Sequence, residues 1–353
     1  MWWIHDHDVN KKKGFLIKSQ RISYITLSLF IFIMKVYDAY KLAIETGIKS
    51  DPRSKDEIDI VLKDAKEEYN NLPKDMRQFY DQERLWNPYA DSRLMWGEEL
   101  AKETEAEKFM WGIDITTGEI LLADRLKEKG DTISAVVAHH PIGKSRTCFP
   151  EVMWMQTDLY HDVDVPINVL EGLMRPRMEE VKRNVMGSNY NQPVDAAKLL
   201  NILMFNVHSP ADNMVQRYLD KLFENAQPKY LEDITKVLMK EPEFQQATRL
   251  NDPPKIILGS KKSRCGKIIS KMTGGTSGPK ELYEKLANAG VGTIVGMHFP
   301  ESHYEECKKH NINMIISGHM ASDSLGINLI CDTWEKKGIE TFGCSGFTRF
   351  SRN

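Results

Sequence analysis

From Phe109 onward the chain alternates short apolar runs with amphipathic stretches, which is the main structural signal in its pattern. Met110 to Ile115 predicts a strand, Thr117 to Lys129 a helix, and Ile133 to Ala138 a strand of small and β-branched residues. Helices are expected over Ile167 to Arg183 and about Val194 to Leu200. A strand over Ile202 to Val207 follows, then a helix from near Ala211 to about Glu224. The same grammar returns near the C-terminus. Lys267 to Lys271 predicts a strand, Gly274 to Pro279 a turn and Lys280 to Asn288 a helix. Thr293 to Met297 predicts a strand, Glu301 to His310 a helix, and Asn313 to Ser317 a strand leading into a helix to about Trp334. Strand–helix alternation of this kind argues for an α/β fold with a largely parallel sheet.

Residues 34–108 read instead as a helical, charged N-terminal region. Ser54-Lys55-Asp56-Glu57 is a capping box that opens a helix with Ile58, Val61, Leu62, Ala65 and Tyr69 on one face, stopped at Pro73. The aromatic-rich segment Leu85 to Arg93 is a loop expected to pack on the main domain. Ahead of it, lysines and Arg21 precede an apolar run from Ile22 to Ile33 that imitates a signal peptide. That run is too short to span a bilayer and no small-x-small cleavage site follows it. Residues 1–33 are therefore read as an extension, with Met34 as the natural start and the cytoplasm as the location.

The strand ends carry the chemistry. Ile133 to Ala138 closes on His139-His140-Pro141, and the strand ending at Met297 closes on His298-Phe299-Pro300. The Leu203 to Asp212 segment matches Met314 to Asp323: each is a strand, then His-x-x-x-Asp, then a helix. Two matching pairs in one order indicate two related halves. At a strand-to-helix junction the Asp falls in the first helical turn, where N-capping is its simplest role. Together, however, these strand ends offer His139, His140, His208 and His319 with Asp212 and Asp323 to one edge. A nitrogen and oxygen donor set without thiolate suits Fe, Mn, Zn, Ni or Co.

Composition narrows the alternatives. A net charge of −2 gives no global basic field, so nucleic acid is not implied. Five cysteines, odd in number and without C-x-x-C spacing, argue against a disulfide framework and suit a reducing compartment. Gly143-Lys144-Ser145 is not a Walker A loop, because Ala138 stands where its first glycine would be. Lys144 and Arg349 are candidate anchors for an anionic substrate, and Gly274 to Pro279 resembles an anion nest or a plain turn. No G-x-S-x-G elbow occurs. His161, His303 and His310 lie on polar stretches and are expected at the surface.

These motifs resemble the Nif-three-like dinuclear metal centre family, often labelled GTP cyclohydrolase I type 2 homologues. The match covers about residues 109–350. The resemblance implies two similar α/β halves, about 109–225 and 255–353 within a 109–353 core, facing each other across a metal site. It implies two divalent ions per chain, held by His139, His140, Asp212, His319 and Asp323, and a toroidal homohexamer. His208 would be a ligand or its neighbour, and His298 stands near a Gly-Glu of the family, with an open role. The family usually has Glu where Asp323 stands, which puts that ligand's reach in question. The label implies a hydrolase in which metal-bound hydroxide attacks a nucleotide or other heterocyclic small molecule, with no catalytic residue beyond the ligands. The alternative of a different class is a metal chaperone or carrier without turnover. No membrane partner is expected.

Overall fold

Short, mostly apolar runs, buried in the inner strands and half-buried at β5 and β6, build two separate sheets in the computed structural model, which describes residues 34–353. The expected extension 1–33 lies outside the described residues. The first sheet contains β1 (Leu94–Trp96), β2 (Lys108–Gly112), β3 (Ile133–Ala138), β4 (Met204–Asn206) and β9 (Glu340–Cys344). The second contains β5 (Lys255–Leu258), β6 (Lys267–Lys271), β7 (Val291–Gly296) and β8 (Asn313–Ile316). Their orders are β1-β4-β3-β2-β9 and β5-β8-β7-β6. In both sheets the first strand is antiparallel to its neighbour and the inner pairs are parallel.

The two orders coincide if β1 to β4 are laid on β5 to β8. The chain is thus two similar α/β halves, and the strands that carry the internal sequence echo, β3 with β7 and β4 with β8, occupy matching places. One strand departs from the halving. β9, inside the expected second half 255–353, lies parallel to β2 in the first sheet.

Residues 34–108 contribute more than helix. The Val36–Ser50 and Lys55–Asn71 helices are followed by β1, whose Leu94 pairs with Phe205 of β4. Ser54 caps the second helix as expected: its hydroxyl accepts from the Glu57 amide at 3.3 Å, and Glu57 Oε2 accepts from the Ser54 amide at 2.6 Å. The first helix is part of the core. Tyr40 and Ile44 are buried with Phe109, Trp111, Phe205 and Trp334, and the Trp334 indole donates to the Ala39 carbonyl at 2.9 Å.

Two helices begin at strand ends and pack on each other: Ser209–Ala226 after β4 and His319–Glu335 after β8. They touch backbone to backbone. A methyl group at Gly326 would stand 2.2 Å from the Ala211 carbonyl oxygen, so only glycine permits this spacing. The helix Ile167–Val185 continues through Pro176, and helices at Leu231–Leu238 and Pro242–Arg249 occupy a stretch without a sequence expectation. Among the described residues, no helix is long and apolar enough to cross a membrane.

Candidate metal centre

His139 and His140 leave β3 with their amides bonded to the Gly112 and Ile113 carbonyls, each at 2.9 Å. Those bonds extend the β2–β3 pairing just past the strand and fix both rings at the sheet edge. His208 occupies the position just ahead of the helix after β4, with Asp212 in the first turn. His319 opens the helix after β8, following Gly318 at φ +105°, a left-handed conformation that favours glycine. Asp323 sits one turn further on. The Gly326–Ala211 contact holds Asp212 and Asp323 on facing helices.

Donor atoms of these residues converge in three overlapping groups: His139, His140 and His208; His140, His319 and Asp323; and His139, Asp212 and Asp323. Within each group they lie within 4.8 Å of one another. His139 Nε2 is 3.4 Å from Asp212 Oδ1 and 3.5 Å from Asp323 Oδ1. His140 Nε2 is 3.6 Å, and His319 Nε2 3.5 Å, from Asp323 Oδ2. His208 Nε2 is 3.7 Å from Asp212 Oδ2. Asp323 therefore faces both sides of the cluster.

The other nitrogens of three rings are occupied. His139 Nδ1 meets the Val207 carbonyl at 3.1 Å, His140 Nδ1 meets Asp114 at 2.7 Å, and His208 Nδ1 meets Asp91 at 2.6 Å. Each partner turns Nε2 toward the cluster, the arrangement that orients imidazole ligands at metal sites. Asp91 and Asp114 have no place in the sequence reading. Asp114 lies two residues past the end of β2, within the run Met110 to Ile115 that predicts a strand, so the strand's earlier end at Gly112 hid it. Asp91 lies in the Leu85 to Arg93 loop and has no spacing relation to His208.

His139 Nε2, Asp212 Oδ1 and both Asp323 oxygens are buried without a hydrogen-bond partner. Buried polar atoms are normally satisfied, and four orphans aimed at one point call for a cation. The donor set fits a divalent ion of the first transition row. Protonation tells the same story. Burial, then the Asp323 and Asp91 carboxylates, hold the Asp212 carboxyl well above the usual range. Burial works against charge on Asp323 too, but His139, His140 and His319 outweigh it and hold that carboxyl low. At His140 burial opposes the charged ring, yet hydrogen bonds to Asp114 and Asp323 hold it up to about 10. Burial lowers His319 to about 4 and also lowers His208. The cluster thus balances its carboxylates with protons that a bound cation would displace.

The remaining expectations fall elsewhere. His298 is exposed and its ring centroid lies 4.8 Å from that of His319, beside the cluster and outside its three donor groups. Lys144 Nζ is 2.9 Å from Glu83 and 3.9 Å from Asp81. The Arg349 guanidinium is 2.6 Å from Asp332 and 2.7 Å from Glu335, near the far end of the helix that begins at His319. The Gly274 to Pro279 loop is a turn packed on Gln156, whose amide donates to the Gly274 and Thr276 carbonyls. His303 corrects an expectation: it is buried, because it and Cys307 form the inward face of an otherwise polar helix. His310 is half-buried beside Glu306.

No family model and no curated protein matches the chain. Solved structures do. A NIF3 superfamily protein from Sphaerobacter thermophilus shares 25% identity over 89% of this chain and 98% of its own, with a TM-score of 0.69. Reduced HcgD from Methanocaldococcus jannaschii shares 12% over 80% and 96%, with a TM-score of 0.47. A Bacillus cereus protein related to NIF3 shares 7% over 68% and 87%, with a TM-score of 0.37.

Proposed function

We propose that the chain is a NIF3-like protein and that its His/Asp cluster is a dinuclear metal centre of a metal-dependent hydrolase acting on a nucleotide or other heterocyclic small molecule. The observation that carries this reading is Asp323. Its two partnerless, buried oxygens face His139 on one side and His140 with His319 on the other. A single carboxylate shared in this way suits a pair of ions better than one. Two such ions, drawn from Fe, Zn, Mn, Ni or Co, would supply a nucleophilic water at neutral pH and polarise an electrophile.

The chain's own residues divide the work. His139, His208 and Asp212 are buried and form the closed side of the cluster. His140 and His319 are partly exposed and form the side that a small molecule reaches. Asp114 and Asp91 orient His140 and His208. The shorter Asp323, where the family usually has Glu, gains its reach from the close approach of its helix to the Asp212 helix. Cytoplasmic residence and a homohexamer belong to the same reading, and light scattering of the purified chain tests the assembly.

The test is a substrate screen on metal-reconstituted protein over nucleotides and related heterocycles, repeated after chelation. Turnover is expected only with metal, and Asp212→Asn is expected to abolish it while circular dichroism stays unchanged. Turnover that survives complete metal removal contradicts the mechanism. Rapid metal transfer to an acceptor, with no turnover on any compound, identifies a carrier instead.

A further inference from the structure

Three cations near the strand ends and the C-terminus differ in one respect. Lys144 is neutralised by Glu83 and Asp81, and Arg349 by Asp332 and Glu335. Lys271, half-buried at the end of β6, has no carboxylate within 4.0 Å among the described residues. Its hydrogen bond is a long one, 3.4 Å to the Tyr283 hydroxyl. That hydroxyl lies 2.9 Å from His303 Nδ1. The nearby Cys307 thiol offers no counter-ion, because burial holds it up to about 12. Burial brings the Lys271 ammonium down to about 8, and Arg177 adds to that effect. A secluded ammonium without a counter-charge is costly unless something outside the chain supplies one.

Its position says where that partner goes. Lys271 pairs in register with Gly296 of β7, and Gly296 with Ile316 of β8. His298 and His319 lie two and three residues beyond those partners, so all three residues belong to the same sheet edge. Two residues past Lys271, the Thr273 hydroxyl donates to Asn213 at 2.6 Å, and Asn213 neighbours Asp212. Lys271 and Thr273 also line a cavity of about 520 Å³, but that cavity holds Asp162, Asp220 and Glu224 beside Arg217 and none of the cluster residues, so it is not the phosphate site.

We propose that Lys271 is the phosphate-binding residue of the metal centre's substrate site, gripping an anionic phosphate group while the reacting part of the molecule lies at the His/Asp cluster. This rests on the hydrolase reading above and narrows its substrate class to phosphorylated small molecules. The Tyr283 hydroxyl accepts from Lys271 and donates to the neutral His303, which aims the ammonium.

Calorimetric titration of inorganic phosphate into metal-loaded and metal-free protein tests the assignment. Saturable binding to wild type is expected in both states. Lys271→Met and Lys271→Gln should weaken it about tenfold or more, the loss expected for a charge-assisted hydrogen bond, while Lys271→Arg should stay within about threefold. Metal content, measured in parallel, should be unchanged in all three variants. No phosphate binding by wild type, or equal affinity in the folded Met and Gln variants, overturns the proposal. Phosphate binding that appears only with metal and ignores Lys271 also overturns it. Failure of the metal-centre reading would show separately, as wild-type protein that takes up no metal.

Discussion

Asp91 Oδ2 lies 2.6 Å from His208 Nδ1, and the same oxygen accepts the Ser209 hydroxyl at 2.7 Å. Asp91 is fully buried, yet its carboxyl is held low: burial pushes it up, and His208, Ser209 and Ser92 outweigh that push. The pair fixes which His208 nitrogen faces Asp212. Asp91→Asn should keep the fold but lose the charge that orients and strengthens the ring, so metal affinity should fall about 10–100-fold. Competition against a chromophoric chelator measures this. An unchanged affinity would leave Asp91 without the role given to it.

The close passage of Gly326 against Ala211 sets the separation of the two carboxylates. Gly326→Ala places a methyl group 2.2 Å from a backbone oxygen, so the helices must part. Overpacking of this kind costs about 1–3 kcal/mol. Urea unfolding should register that loss, and the same variant should bind metal more weakly than wild type. Gly172→Ala is the control, since nothing lies within 4 Å of its added carbon. Equal behaviour of the two variants would contradict the packing argument.

His303 gives the fold an acid-sensitive element away from the cluster. Burial, reinforced by Lys271 and Arg177, lowers its imidazole to about 3. An unfolded histidine takes up a proton near pH 6.5, so between pH 6.5 and about 3 the unfolded chain binds more protons. This contribution is therefore complete above pH 6.5 and fades as pH falls toward 3. From pH 7 to 5 the wild type should lose up to about 2 kcal/mol through this group. His303→Gln removes the titration, and its urea midpoint should fall less over the same interval. Parallel losses in the two proteins would exclude the assignment.

The inner strands and their chemistry were legible because the signals are local. Ile133 to Ala138 is a strand with the bounds its apolar run predicts, and the echo of β3 with β7 and β4 with β8 anticipates the repeated sheet order. What escaped depends on distant partners. β9 is short and joins β2 from more than two hundred residues away, which no periodicity encodes. Asp91 reaches His208 from a loop 117 residues earlier in the chain. His303 looked like surface because the polar neighbours of Glu301 to Lys309 hide an inward pair at i, i+4. Arg349 invited a role as an anchor for an anionic substrate, but Asp332 and Glu335 already satisfy it.

Metal stoichiometry tests the central claim most directly. Protein reconstituted with a single first-row metal, freed of excess and analysed by inductively coupled plasma mass spectrometry, should hold about two ions per chain. Because Asp323 faces both sides of the cluster, Asp323→Asn should deplete both ions while the fold persists. One ion or none in reconstituted wild type, or two ions retained by Asp323→Asn, would contradict the account.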